Sequence, residues 1–158
     1  MELIGKATIN PLIFYTGKIS GYITWINSFL ILCGLDLIEK KSFCCGNYIS
    51  GFLLFVGLLF TVISLVNLGK STRLGIPSDD TVLKTNGIYK ISRNPMYVGF
   101  NLITISSMIY TLNWIVILLG IYSLITYHLI IKGEENFMTK RFGQDYKIWL
   151  RVHGIFGD

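Results

Sequence analysis

Hydrophobic residues in this chain form long runs, and charged residues occur only at the ends of those runs. Residues 42–69 contain no charged side chain, and neither do the 38 residues between Arg93 and Lys132. A membrane-spanning helix needs about 20 apolar residues, so both runs are long enough to span. Residues 19–35 form a weaker third run, with Asn27 inside it.

The run over residues 94–131 is too long for one span. As a single α-helix it would extend about 57 Å, nearly twice the ~30 Å hydrocarbon core. Asn113 and Trp114 interrupt it, and Asn favours turns whereas Trp prefers the membrane interface. We therefore predict a helical hairpin here and an all-α integral membrane bundle of about four transmembrane helices. The predicted spans are residues 19–38, 48–68, 96–110 and 114–132.

Beyond the last predicted span, apolar residues recur at helical spacing, at Met138, Phe142, Tyr146 and Trp149. This stripe predicts an amphipathic helix over 134–151 that lies on the membrane surface. With 158 residues, the chain is expected to form a single domain over 1–158.

Composition and charge agree with a multi-pass protein in the lipid bilayer. Hydrophobic residues make up 52% of the chain and charged residues 15%. In the four-span arrangement, 12 of the 14 basic residues lie on one side, including Lys18 before the first span, and only Lys40 and Lys41 lie on the other. The positive-inside rule then predicts cytoplasmic N- and C-termini, so the net charge of +5 does not indicate nucleic-acid binding. The three cysteines lack metal-ligand spacing, and no metal is expected.

Polar residues at the two ends of the hairpin predict a binding site. Folding back brings Arg93, Asn94 and Tyr97 to the same membrane face as Glu134 and Glu135. Adjacent carboxylates repel each other, and beyond a helix C-terminus they would also oppose the helix dipole. Either the helix continues through them, or a cationic group is held there, and a cationic ligand is the favoured interpretation.

A simpler interpretation exists for the first of these segments. Arg93 satisfies the positive-inside rule, Pro95 suits a first helical turn, and Tyr97 suits the interfacial aromatic belt.

Several motifs in order resemble a known family. They are Gly-x-Tyr-x-x-x-Arg-x-Pro-x-Tyr-x-Gly over residues 87–99, the uncharged hairpin, Glu134-Glu135, and Arg-Phe-Gly-Gln-Asp-Tyr over residues 141–146. Together they resemble the isoprenylcysteine carboxyl methyltransferases and the wider group of membrane methyltransferases that includes phosphatidylethanolamine N-methyltransferases. The resemblance covers about 70–152. It implies binding of S-adenosylmethionine without a Rossmann fold.

The resemblance also implies which residues contact the cofactor. Glu134 would hold a cationic part of it, Asn94 and Tyr97 would supply hydrogen bonds, and a loop would frame the adenosyl end. The implied cofactor-binding residues are Thr81, Val82, Leu83, Lys84, Tyr89, Asn94, Pro95, Met96, Tyr97 and Glu134.

Two departures from the family pattern concern the substrate. Asn94 stands where the carboxyl methyltransferases usually have His, and phosphatidylethanolamine methyltransferases are more similar here. The carboxyl methyltransferases also place an Arg before the Glu pair to meet the substrate carboxylate, whereas this chain offers only Lys132 and His128 as substrate-binding candidates.

The sequence therefore predicts S-adenosylmethionine-dependent methyl transfer to a lipid-linked or strongly apolar substrate, most like carboxyl O-methylation of a prenylated cysteine. Arg93 is expected to orient a carboxylate, and Glu135 to accept a proton if the acceptor is an amine. The alternatives are a phospholipid N-methyltransferase, a steroid-type membrane reductase that binds a nicotinamide cofactor, and a membrane protein without enzymatic activity.

Overall fold

The computed structural model of the protein describes residues 9–35, 44–68, 87–90, 92 and 94–152. Within these residues the chain is helical and has no strand, so the predicted all-α class is confirmed for them. The α-helices are α1 (Pro11–Leu32), α2 (Cys44–Leu68), α3 (Pro95–Thr111) and α4 (Trp114–Val152). A short 3-10 helix, Gly87–Lys90, precedes α3.

Helix α1 begins well before the predicted start at residue 19. Asn10 caps it by accepting a 2.9 Å hydrogen bond from the backbone N–H of Leu12, and Pro11 occupies the first turn. An Asn cap followed by Pro is a strong helix-start combination, because the cap satisfies a free N–H and Pro needs none. As a result Lys18, predicted to precede the first span, lies inside α1.

Helix α1 also ends earlier than the predicted residue 38. Gly34 has a φ of 81°, a conformation that glycine adopts without steric cost. The N–H of Leu35 bonds to the carbonyl of Leu30 at 2.9 Å, which is part of a Schellman motif. This motif stops the helix at Leu32.

The break between α3 and α4 lies where the sequence predicts it. Leu112 adopts a left-handed conformation with φ 46°, and its N–H bonds to the carbonyl of Met108 at 2.9 Å. Asn113 then caps α4, since its side-chain oxygen accepts a 3.0 Å hydrogen bond from the N–H of Ile115. The hairpin therefore turns within two residues.

Helix α4 is longer than predicted. It continues past the predicted end at residue 132 as far as Gly143, where φ 55° and ψ −125° interrupt the helical backbone, and a second helical segment follows to Val152. The predicted separate surface helix therefore does not start at residue 134. Glu134 and Glu135 lie within α4 and not at a helix C-terminus, so the helix dipole gives no reason to expect a cation there.

Helix α3 is central and contacts the other three helices. Trp25 of α1 donates a 2.9 Å hydrogen bond to Thr104 of α3, and Ser106 of α3 donates a 2.7 Å hydrogen bond to the carbonyl of Ser50 in α2. Taken with the ring contacts of α1 to α3, these pairings make α1 and α3 parallel, with α2 and α4 antiparallel to both. The N-terminal ends of α1 and α3 therefore lie at the same end of the bundle as the part of α4 that contains Glu134.

Glycines allow two of these helix pairs to approach closely. A Cβ on Gly99 of α3 would lie 2.7 Å from the carbonyl oxygen of Gly57 in α2. A Cβ on Gly17 of α1 would overlap the side chain of Thr126 in α4. Small residues at such crossings let helix backbones pack directly, which is the usual way helices associate in membranes.

The outer surface of the bundle is apolar. Phe52 and Val66 of α2 and Leu118 of α4 are more than half exposed. Over Cys45–Asn67 and Trp114–Gln144 the chain is helical, long and apolar enough to cross a membrane. A contiguous apolar surface of this kind is suited to lipid. The predicted count of four spans and the cytoplasmic location of the termini stay predictions.

Candidate functional site

The core of the candidate site is a hydrogen bond between α3 and α4. Tyr97 Oη donates to Glu134 Oε1 at 2.7 Å, across 37 positions of sequence. Tyr97 is 3% exposed, and the side chain of Glu134 is partly buried. A hydrogen bond to a carboxyl group is stronger where burial limits contact with water than on an exposed surface. The structure thus joins two residues that the sequence predicts to meet.

Aromatic side chains surround this hydrogen bond. The Tyr97 ring lies 5.7 Å from the ring of Tyr127 and 6.1 Å from that of Phe100. Phe14 of α1 and Ile130 of α4 complete the buried cluster, and both are fully enclosed. Tyr97 is therefore packed in an apolar, aromatic cluster formed by three helices, with Glu134 at its edge.

The start of α3 places Tyr97 in this position. Pro95 occupies the first helical turn, and Asn94 precedes it as the N-cap residue. Asn94 does not cap α3 with its side chain, and its backbone N–H donates a 3.3 Å hydrogen bond to the hydroxyl of Ser92. Pro95 and Met96 are buried. Burial of these two residues fixes the start of α3, and Tyr97 is the next residue of the helix.

Tyr89 reaches the same end of the bundle from the 3-10 helix. It is 8% exposed, and its hydroxyl shares a 2.9 Å hydrogen bond with Ser64 of α2. Burial raises the pKa of the Tyr89 phenol, the Ser64 hydrogen bond opposes this rise, and the charge of Glu134 adds to it. Tyr89 therefore stays neutral at physiological pH, within electrostatic range of Glu134.

Two predicted substrate residues lie on another face of α4. His128 and Lys132 are exposed, whereas Tyr127, Ile130 and Glu134 face the interior or its edge. Lys132 and Glu134 are two residues apart, which separates them by about 200° around a helix. The structure does not bring His128 or Lys132 to the Tyr97–Glu134 pair, and their role in substrate binding stays a prediction.

The remaining predicted residues divide into two groups. Glu135 follows Glu134 in α4 and is partly exposed. Arg93 and the loop segment Thr81, Val82, Leu83 and Lys84 fall outside the described residues.

Sequence reasoning missed Lys18. This residue is 7% exposed, and its Nζ lies 3.9 Å from the centroid of the Phe14 ring. Phe14 belongs to the same buried cluster as Tyr97, so Lys18 lies next to the candidate site. The signal that would have found it is Asn10-Pro11, which starts α1 early enough to place Lys18 within the bundle.

Comparison with known proteins identifies the family. The profile of the phospholipid methyltransferase family matches residues 46–145. A protein-S-isoprenylcysteine O-methyltransferase from Dictyostelium discoideum is 35% identical over 83 residues, which cover 49% of this chain and 35% of the relative. The chain thus matches about a third of that relative's length. No solved structure matches.

The matched segment runs from the start of α2 through both residues of the Tyr97–Glu134 pair. It covers more than half of the 158 residues. With this match and the apolar helices of the bundle, we conclude that the chain is a membrane protein that belongs to the phospholipid methyltransferase family.

Proposed function

We propose that this protein transfers a methyl group from S-adenosylmethionine to a lipid-linked acceptor in the membrane. The observation that carries the proposal is the hydrogen bond from the buried Tyr97 to the partly buried Glu134, inside the segment that matches the family. Even partial burial of a carboxylate beside aromatic rings is costly unless a partner compensates it. A cationic ligand is such a partner.

The side chains at the site suit the chemistry of S-adenosylmethionine, which carries a sulfonium, an ammonium and a carboxylate. A carboxylate has about four acceptor positions, and the Tyr97 hydroxyl occupies one on Glu134. Glu134 therefore retains acceptor capacity for a cationic group.

When bound, S-adenosylmethionine supplies a methyl group that the acceptor takes by direct displacement, as the electrons of the carbon–sulfur bond return to sulfur. The protein's contribution is alignment and exclusion of water. Holding the nucleophile and the methyl group in line can supply several kcal/mol of the barrier, about 7–11 in well-oriented systems. The enclosed side chains of Phe14, Tyr127 and Ile130 keep water away from the Tyr97 side of the pair.

Other residues take roles around this pair. Tyr89 and Asn94 supply hydrogen bonds beside Glu134, Pro95 and Met96 hold the start of α3, and Thr81 to Lys84 frame the adenosyl end. Arg93 orients a carboxylate. Glu135 receives the proton if the acceptor is an amine, since an amine must lose a proton on methylation.

For the acceptor we propose the carboxylate of a prenylated cysteine. The support is the name of the Dictyostelium discoideum relative and its 35% identity. A carboxylate is already ionised and needs no general base. The apolar exterior of α2 and α4 suits a substrate whose prenyl chain lies in lipid.

A second candidate acceptor is a phospholipid amine. Asn94 favours a phospholipid amine, because this Asn stands where the carboxyl methyltransferases usually have His. The description of the family profile, phospholipid methyltransferase, also favours it.

An assay of methyl transfer by the purified protein in lipid–detergent micelles distinguishes the prenylcysteine carboxylate from the phospholipid amine as the acceptor. The protein is incubated with methyl-labelled S-adenosylmethionine and either a farnesylated cysteine or phosphatidylethanolamine. A methyl ester releases labelled methanol in alkali, whereas an N-methyl group does not. We expect alkali-labile label on the farnesylated cysteine and none on its carboxamide. Alkali-stable label on the phospholipid would favour N-methylation, and absence of label on both would contradict the proposal.

Thermal unfolding distinguishes a methyltransferase from a membrane reductase and from a protein without enzymatic activity. A ligand that binds the folded state raises the unfolding midpoint, by an amount that grows with the logarithm of the ligand concentration relative to its Kd. We expect S-adenosylhomocysteine to raise it and NADPH to leave it unchanged. A rise with NADPH alone would indicate a reductase, and no rise with either would indicate a protein without this activity.

A further inference from the structure

Lys18 is a buried basic residue at the same end of the bundle as the candidate site. It is 7% exposed, and its Nζ has no hydrogen-bond partner among the described residues. Burying an ammonium group without a hydrogen-bonding anion is costly, and an anionic partner would offset that cost. Lys18 is buried within α1 despite this cost in free energy.

The side chain of Lys18 points toward the site. Its Nζ lies above the ring of Phe14, which precedes it by one helical turn. Side chains in a helix lean toward the N-terminus, so the ammonium lies closer to the end of the bundle than its own Cα. Phe14 belongs to the buried cluster that contains Tyr97 and Tyr127. The ammonium therefore lies beside the buried cluster from which Tyr97 bonds to Glu134.

Lys18 and Glu134 both contact the buried aromatic cluster but do not bond to each other. Lys18 contacts it through Phe14, and Glu134 through Tyr97. Glu134 accepts a hydrogen bond from Tyr97, and none connects it to the Lys18 ammonium. A cation from α1 and an acid from α4 thus share one site without a hydrogen bond between them. Such a pair suits a ligand with an anionic group that reaches the lysine.

We propose that Lys18 binds a carboxylate of the ligand held at the Tyr97–Glu134 site. This inference rests on the proposed methyl transfer. The carboxylate has two sources: the amino-acid end of the methyl donor, whose ammonium would then lie on Glu134, or the prenylcysteine acceptor. In both cases the Lys18 ammonium donates a charge-assisted hydrogen bond. Because α1 lies outside residues 46–145, this contact comes from a part of the chain that the family profile does not cover.

Wild-type protein gives the first test, by isothermal titration in detergent micelles. S-adenosylhomocysteine is compared with its decarboxylated analogue, which keeps the ammonium and lacks only the carboxylate. A farnesylated cysteine is compared with its carboxamide. We expect at least one carboxylate ligand to bind about tenfold or more tightly than its carboxylate-free partner, since a hydrogen bond to a charged group has that effect.

Variants then assign the difference to Lys18. Lys18→Met keeps the length of the side chain and removes its charge, Lys18→Arg keeps the charge, and Lys140→Met removes an exposed charge elsewhere on the protein. Lys18→Met should abolish the preference for the carboxylate ligand, while Lys18→Arg should retain part of it and Lys140→Met all of it. Loss of preference within the homocysteine pair identifies the donor carboxylate, and loss within the cysteine pair identifies the acceptor.

Two results would overturn the inference, and they differ from failure of the proposed function. In the first, wild-type protein binds S-adenosylhomocysteine but binds the two ligands of each pair equally well. This result would overturn the role of Lys18 and leave the proposed function standing, and it does not depend on whether Lys18→Met folds. A folded Lys18→Met protein with the wild-type preference would do the same. Wild-type protein that binds none of the four ligands would overturn the proposed function and this inference together.

Discussion

The phenol of Tyr97 donates a 2.7 Å hydrogen bond to Glu134 Oε1, and this bond connects the two arms of the α3–α4 hairpin. Tyr97→Phe keeps the ring and removes the donor, so Glu134 loses its buried partner. We expect the free energy of unfolding to fall by about 1.5–3 kcal/mol, the range for a hydrogen bond to a charged group. Tyr48→Phe is the control, because Tyr48 is 79% exposed and should tolerate the change.

A double-mutant cycle isolates this bond. Tyr97→Phe and Glu134→Gln should together cost less than the sum of their separate effects, because each removes the same interaction. Denaturant unfolding in micelles gives the free energy of unfolding of the wild type, the two single variants and the double variant. Costs that simply add would show that the two residues do not interact in the folded protein.

The α1–α4 crossing depends on Gly17. Gly17→Ala places a Cβ against the side chain of Thr126, and should destabilise the protein by about 1–3 kcal/mol through overpacking. Gly51→Ala is the matched control in α2, where an added Cβ meets nothing within 4 Å. It should be neutral or stabilising by up to about 1 kcal/mol, since Ala is the better helix former. Equal effects of the two changes, measured as unfolding midpoints, would contradict the close crossing.

The turn of the hairpin depends on Asn113. Asn113→Ala removes the side-chain oxygen that accepts from the N–H of Ile115, and should cost about 1 kcal/mol. Asn136→Ala removes an exposed amide within α4 and should be neutral. An unchanged unfolding midpoint for Asn113→Ala would show that this cap is not needed.

Topology is testable by cysteine labelling. In a background that lacks Cys33, Cys44 and Cys45, a membrane-impermeant reagent on the cytoplasmic side should label Lys140→Cys and not Lys40→Cys. The expectation follows from the distribution of basic residues. The opposite pattern would show the predicted orientation to be inverted.

The hairpin was predictable because its signals are local. A run of 38 uncharged residues exceeds one bilayer crossing, and Asn113 can cap a helix with its own side chain. With the turn fixed, Tyr97 and Glu134 lie at the open end of the hairpin. Their meeting follows from the length of the two arms.

The role of α1 was harder to predict. Hydropathy places the start of the first span after Lys18, because a charge normally lies outside the membrane core. The helix instead begins at Pro11, and packing of Gly17 against α4 buries Lys18 against Phe14. That burial is a contact between distant segments, and hydropathy along the chain does not report such contacts. The continuation of α4 past Glu134 was also hard to predict. No residue between Glu134 and Gly143 marks clearly whether the helix ends or continues.

Titration of S-adenosylhomocysteine into Glu134 variants tests most directly whether the Tyr97–Glu134 pair holds the methyl donor. Glu134→Gln should weaken binding by at least about tenfold, since a charged partner is lost from an enclosed site. Glu134→Gln combined with Glu135→Gln should weaken it further, because the neighbouring acid partly compensates the first change. Lys140→Gln, an exposed position on the same helix, should bind as the wild type does. Unchanged affinity in both the single and the double acidic variant would contradict the role of this site in donor binding.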